Sequence, residues 1–235
     1  MERVPAAGFM IAYGRAGQGP PLVLLHGGAS DATEWRAAAG LLAADHDVVA
    51  WDAPGCGGSS DPPPRFSLPG YADVLAAFMT AIGLRDAHVA GVSFGGGLAI
   101  QLAVRHPARV RSLVLVSAYA GWAGSLGHDG ATERRRLVAQ ELRHPEPGVR
   151  PAAAMTMVDA FAQSDLRAEL SGIRVPVLVV HGTEDVRAPR PFAEALRDGI
   201  PGARMAVIEG VGHVCTVEAP SRLAALMREF LSTVR

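Results

Sequence analysis

Residues 91–97 read GVSFGGG, a serine with a glycine two positions before it, another two positions after it and two more beyond. Glycine in a regular element costs about 0.5–1 kcal/mol relative to alanine, so this concentration around one hydroxyl needs a reason. The stretch ends one apolar run, AHVAGV (87–92), and opens a helix-length segment, FGGGLAIQLA (94–103). Gly-x-Ser-x-Gly between a strand and a helix is the pattern of a nucleophile elbow, a sharp turn that lifts a serine hydroxyl above a sheet. Such a turn strains the serine backbone and leaves no room for β-carbons at Gly91 and Gly95. Gly96 and Gly97 would let the helix lie close to neighbouring strands. The elbow also sets the Ser93 hydroxyl at a helix N-terminus, where unpaired N–H groups favour negative charge. A tight turn with a serine cap and no chemistry would use the same residues.

Working outward, similar apolar runs recur: PLVLLHG (21–27), HDVVAWD (46–52), AHVAGVS (87–93), VRSLVLVSA (110–118), VPVLVVHG (175–182) and ARMAVIEG (203–210). Each is continuously apolar, as in strands buried on both faces of a parallel sheet. Between them lie segments with apolar residues at three-to-four spacing, including 71–84, 94–106 and 220–234. This alternation predicts right-handed crossovers and a doubly wound α/β sheet flanked by helices.

The rhythm breaks from Gly121 to about Ser171, where no strand-like run occurs. The expectation is a core domain made of 1–120 and 172–235 with a cap insertion at 121–171 above the sheet edge. Its first part, AGWAGSLGHDG, is glycine-rich and reads as mobile; its second, AAAMTMVDAFAQSDLRAEL, reads as one helix, with LRHPEPGVRP (142–151) interrupting the two. A short glycine-rich cap predicts an accessible site suited to small or flexible acyl groups, with Trp122 on its wall.

The bulk composition narrows the function. The chain has 235 residues, 49% hydrophobic and 19% charged, enough apolar material for one sizeable core. Net charge is −1 with basic residues spread along the chain, so no footprint for nucleic acid or an anionic membrane emerges. The local cluster Glu133-Arg134-Arg135-Arg136 reads as a solvated helix face. The N-terminus lacks the features of a secretory signal, no run is long enough to span a membrane, and Cys56 and Cys215 read as free thiols, which together suggest a cytoplasmic protein.

A hydroxyl needs a base to become a nucleophile, and the base needs a partner that holds its tautomer. HGTEDVRAP follows the run ending at 182 and puts Asp185 in a loop at a strand's C-terminal end; VGHV does the same for His213 after the last run. Open α/β sheets assemble their sites at those ends, so Ser93, Asp185 and His213 can converge. Glu184 is the rival acid. His46, His88, His106, His128 and His144 fall at element ends or in polar loops, and His26 reads as a brace for its own loop.

Acyl transfer also needs donors aimed at the developing oxyanion. The Phe94 N–H, directly after the serine, is one; the Gly28 N–H, in the loop HGGAS (26–30), is the other. DAPGCGGSS (52–60) lacks the ending of a phosphate loop and reads as a turn bracing the HG loop, and no metal-ligand spacing occurs, so no cofactor is expected.

Together these motifs resemble the α/β-hydrolase fold superfamily: HGG (26–28), DAPGCGGSS (52–60), GVSFGG (91–96), GTEDVRAP (182–189) and GVGH (210–213). The resemblance covers nearly the whole chain. It implies an eight-stranded, mostly parallel sheet, a cap after strand six, the triad Ser93, Asp185 and His213, and the amides of Phe94 and Gly28 as oxyanion donors. It is nearest the small esterase, lactonase and perhydrolase group, since HGGG is absent and position 93 is not aspartate.

The expected activity is hydrolysis of a carboxylic ester, lactone or thioester of a small molecule, with substrate contacts from Trp35, Trp122, Val186 and Val214. Acyl transfer, perhydrolysis and carbon–carbon bond cleavage would use the same residues. A slow-turnover, receptor-like binding protein is the reading from another class. No nucleic-acid or membrane partner is expected, and the chain reads as a monomer or homodimer.

Overall fold

The strands form one sheet whose order runs β1-β2-β4-β3-β5-β6-β7-β8: β1 is Glu2–Ala6, β2 Phe9–Ala16, β3 Pro21–Leu25, β4 Asp47–Trp51, β5 Ala87–Val92, β6 Val110–Val116, β7 Val177–Gly182 and β8 Arg204–Ile208. The computed structural model describes residues 1–145 and 148–234; part of the interruption expected at 142–151 therefore lies outside the described residues. All six apolar runs are strands, and β3 to β8 pair in parallel. The first two strands, absent from those runs, form an antiparallel hairpin, and β2 continues antiparallel onto β4. Ala7 and Gly8 turn that hairpin with both φ values positive, 48° and 83°, as a two-residue loop matched to strand twist requires.

Alternation within each strand explains the continuous apolar runs. Val23, Leu25, Val89, Leu113, Leu115 and Val179 enter one core, whereas Leu22, Leu24, Ala90, Val114, Val116 and Val180 enter the other. Helices α2 (Leu68–Ala81) and α3 (Phe94–Arg105) cover the first face; α1 (Arg36–Leu42) and α9 (Pro220–Ser232) cover the second. Ser67 caps α2, its side chain accepting from Gly70 N. Helix α7, Arg190–Gly199, adds Ala193 and Leu196 to the first core, and α8 is the short turn Cys215–Glu218.

A helical insertion follows β6: α4 (Trp122–Glu141), α5 (Pro151–Ala162) and α6 (Arg167–Leu170). Two expectations for it need correction. The segment read as mobile is built into α4, with its glycine-rich half ending in a kink at Gly127, φ 72°. It holds because Trp122 is only 9% exposed and because Ala120 N, Gly124 N and Leu166 N are tied to Ser125, Ser164 O and Ala120 O. The single helix expected over the second half breaks into α5 and α6, since Ser164 O and Leu166 N are spent on that segment instead of on a helical ladder. The cluster at 133–136 also divides: Arg136 pairs with Glu133 and Arg135 with Asp159, while Arg134 turns inward over the Trp122 ring.

Among the described residues, no helix is long and apolar enough to cross a membrane.

Candidate active site

Ser93 sits between β5 and α3 at φ 53°, ψ −113°, a conformation L-residues rarely adopt. The sheet holds it there through Ser93 N donating to Val116 O at 2.9 Å, while Gly96 N and Gly97 N bond to its carbonyl at 3.0 and 3.2 Å. A β-carbon on Gly91 would overlap the Gly95 carbonyl, and one on Gly95 would overlap the carbonyl of Leu25. The last glycine has a different reason from the one expected. A β-carbon on Gly97 would overlap the Phe161 ring, so this glycine admits the insertion helix α5, not a strand.

Asp185 and His213 lie in the loops after β7 and β8. The Nδ1 of His213 meets both Asp185 oxygens, Oδ1 at 2.9 Å and Oδ2 at 3.0 Å. Oδ1 also accepts from Arg187 N at 3.0 Å and Ala188 N at 2.8 Å. Burial, the largest influence, pushes the Asp185 carboxyl up; the His213 and Ala188 hydrogen bonds more than offset it, and the net shift is downward. An ionised carboxylate only accepts, so Nδ1 carries the proton and Nε2 is left as a base. Glu184 is exposed beside it and takes no part in this contact.

The loop after β3 is braced from several sides. Ala53 N donates to His26 Nε2 at 3.0 Å, which makes Nδ1 the donor to Gly27 O at 2.7 Å. Asp52 accepts from Ala32 N and Gly58 N, so DAPGCGGSS does brace the HG loop. Gly28 lies over the start of α3, its nearest would-be β-carbon contact being Phe94 Cβ at 3.9 Å. The Phe94 ring points away from solvent into Tyr71 and Phe161, at centroid distances of 5.5 and 5.4 Å, leaving its backbone N–H at the helix start.

Ser93, His213, Gly28 and Trp122 line one cavity of about 610 Å³. Its floor includes Tyr119, whose ring lies 6.2 Å from His213, and its wall includes Leu137, Val138 and Arg134 of α4. Three of the four residues expected to touch substrate stand elsewhere. Trp35 is fully buried in the second core, its Nε1 donating to Leu25 O, because it faces the opposite side of the sheet. Val186 is 85% exposed outside the cavity walls, and Val214 N is committed to Glu218 at the start of α8.

Three residues near the site carry no sequence motif. Glu34, in a short 3-10 turn at Ala32–Trp35, accepts from Gly27 N at 2.6 Å, beneath the HG loop. Burial is the main cause that raises its carboxyl above the ordinary range, against the Gly27 hydrogen bond and the nearby His26. Tyr119 donates to Arg187 O at 2.7 Å and receives Arg134 Nη1 at 3.3 Å. Only the return of α4 over the strand ends brings Arg134 to this place. Among the described residues, no group of His, Cys, Asp and Glu side chains stands close enough to hold a metal ion.

Residues 20–146 match the family described as alpha/beta hydrolase fold. The chain is 31% identical to the 2-hydroxymuconate semialdehyde hydrolase of Pseudomonas sp. (strain CF600), covering 98% of this chain and 93% of that protein. It is 29% identical to the pimeloyl-[acyl-carrier protein] methyl ester esterase of Aeromonas hydrophila subsp. hydrophila, covering 92% of this chain and 97% of that one. Its fold matches a thermophilic esterase from Thermogutta terrifontis with a TM-score of 0.88 at 24% identity, over 99% of this chain and 98% of that one. Sheet order, the insertion after β6 and the family match over more than half the chain agree, and the chain belongs to the α/β hydrolase fold family.

Proposed function

We propose that the protein is a serine hydrolase that cleaves a small carboxylic ester, lactone or thioester through an acyl-enzyme. One observation carries this reading. A buried carboxylate bonds His213 Nδ1 with both oxygens, and His213 shares a cavity with a serine held at a strained strand-to-helix turn.

In this reading Ser93 Oγ attacks the acyl carbon while His213 Nε2 takes the hydroxyl proton, and the carbonyl electron pair moves onto oxygen. The Phe94 and Gly28 amides donate to that oxyanion, each such donor contributing about 2.7–4 kcal/mol where measured. Collapse expels the alkoxide or thiolate, which takes the proton from His213. Water, deprotonated by the same nitrogen, attacks the acyl-serine and releases the acid and free Ser93. Asp185 keeps the imidazole in the required tautomer throughout. The insertion helices α4 and α5 act as the cap that shapes the acyl pocket.

Carbon–carbon bond hydrolysis by the same residues draws support from the 31% identity to a 2-hydroxymuconate semialdehyde hydrolase. It needs a carbanion leaving group stabilised as an enolate; the ester reading needs only an alkoxide and is the simpler use of this site.

The test is covalent. A fluorophosphonate probe should label Ser93, located by peptide mapping, and Ser93→Ala should lose both the label and ester turnover. A label on Ser93→Ala, or wild-type protein that neither takes the probe nor turns over any ester, overturns the reading and leaves a binding scaffold.

A further inference from the structure

We infer that the cavity receives an ester or lactone whose acyl portion ends in a carboxylate, held by Arg134 and Arg187. This rests on the serine-hydrolase reading and names its substrate class.

Both arginines line the cavity that contains Ser93 and His213. Arg134 comes from α4 and Arg187 from the loop that carries Asp185, so the sheet and the insertion each supply one cation. The Arg134 guanidinium lies over the Trp122 ring, 5.8 Å from its centroid. Its polar contacts are neutral: Nη1 donates to the Tyr119 hydroxyl and Nη2 to Arg187 O, each at 3.3 Å. A guanidinium has five N–H donors, so these weak contacts fix its direction and leave donors unspent. Neither side chain pairs with an acidic group among the described residues, whereas the neighbouring Arg135 and Arg136 both do. Glu141 also lines the cavity, two turns further along α4 than Arg134, with Leu137 and Val138 between them.

Position ties these cations to the chemistry. Tyr119 accepts from the Arg134 guanidinium and donates to the backbone carbonyl of Arg187, and its ring lies 6.2 Å from the His213 ring. A carboxylate bound there stands one tyrosine away from the catalytic base, with the apolar side chains of α4 beside the intervening chain. A guanidinium matches a carboxylate in geometry as well as charge. A purely structural Arg134, stacked to brace Trp122, would account for the stacking and not for Arg187, an exposed arginine lining the same cavity without an acidic partner among the described residues.

The experiment compares kcat/KM for the hemiesters of a dicarboxylic acid series with that for the matching neutral ester-amides at fixed ionic strength. Wild type should favour the hemiester of the best chain length by about tenfold or more, as expected for charge-assisted hydrogen bonds. Arg134→Gln and Arg187→Gln should each reduce that ratio about tenfold, mainly through KM, and Arg134→Lys should restore part of it. Arg197→Gln, which breaks a surface pair with Asp198 on α7, should leave the ratio unchanged. Equal use of both substrates by wild type, or a lowered melting temperature in Arg134→Gln with the ratio intact, overturns the inference. If that occurs while fluorophosphonate still labels Ser93, the serine-hydrolase reading stands and only the substrate class falls. If no label forms, both fall.

Discussion

Asp185 Oδ1 and Oδ2 stand 2.9 and 3.0 Å from His213 Nδ1, so the imidazole is gripped by both oxygens of a side chain with no exposure of its own. Two backbone amides hold the carboxylate from the other side, which fixes the ring plane as well as the tautomer. Replacing Asp185 with asparagine would offer an N–H where an acceptor is needed and would favour the wrong tautomer. Asp185→Asn should lower kcat by on the order of 10⁴. Glu184→Gln, altering an exposed neighbour, should stay near wild type; steady-state kinetics that reverse the order would identify Glu184 as the acid.

Ser93 separates chemistry from strain. Ser93→Ala should lower turnover by on the order of 10⁴ to 10⁶ and keep the same strained backbone. Ser93→Gly should be equally inactive but relieve strain worth about 1–3 kcal/mol, less the extra entropy of a glycine in the unfolded chain. It should therefore melt above Ser93→Ala by a few degrees, a comparison that calorimetry makes directly. Equal melting temperatures would mean the elbow stores no more strain than the extra entropy of glycine offsets, about 0.5–1 kcal/mol.

Glu34 and Asp185 should affect stability with opposite signs of pH dependence. A carboxyl whose folded pKa is lowered, as at Asp185, adds stability above its unfolded pKa and loses it as pH falls through the folded value. One whose folded pKa is raised, as at Glu34, adds stability below its unfolded pKa and loses it as pH rises through the folded value. Glu34→Gln keeps an oxygen to accept from Gly27 N and removes the titration. Its melting temperature relative to wild type should rise as pH increases from about 4 to 8, the ordinary glutamate pKa being about 4.3. A difference that does not vary over this range would show that Glu34 titrates normally.

Trp122 tests the insertion. A mobile glycine-rich segment with Trp122 on its wall, as the sequence reads, would let Trp122→Ala change substrate preference with little change in melting temperature. The structure instead makes Trp122 both wall and anchor, packed 5.9 Å from Phe161 and lining the cavity. Trp122→Ala should therefore cost about 3–5 kcal/mol of stability and also raise KM for bulky aryl esters more than for acetate esters. Loss of stability alone would restrict Trp122 to packing.

Gly97 should couple the elbow helix to the insertion. Gly97→Ala places a methyl group in the Phe161 ring and should cost about 1–3 kcal/mol through overpacking. Adding Phe161→Leu should recover part of the loss, an interaction visible in a double-mutant cycle. Additive effects would mean that α5 is seated by other contacts.

Local chemistry made the six parallel strands readable: a strand buried on both faces is apolar at nearly every position, as in β3, β5 and β7, and the half-buried edge strand β8 still carries Met205, Ala206, Val207 and Ile208 in succession. The same holds for Ser93, Asp185 and His213, because each lies directly after such a run, at the sheet edge where a doubly wound fold gathers its loops. The first hairpin was not readable this way. It is an edge, with Glu2, Arg3, Val4 and Pro5 giving it no continuous apolar signal and only backbone pairing with Phe9–Ala16 making it a strand. The pocket walls were also invisible, since they depend on which face of a helix returns over the sheet. Trp35 and Trp122 are equally aromatic in the sequence, yet one is locked to Leu25 O beneath the sheet and the other roofs Ser93. Arg134 shares a cluster with Arg135 and Arg136, and only the path of α4 turns it inward while its neighbours meet surface acids. Residue order determined the strands and the loops that carry Ser93, Asp185 and His213, because backbone burial is a local constraint. Which side chains meet a substrate was decided by packing between segments far apart in the chain.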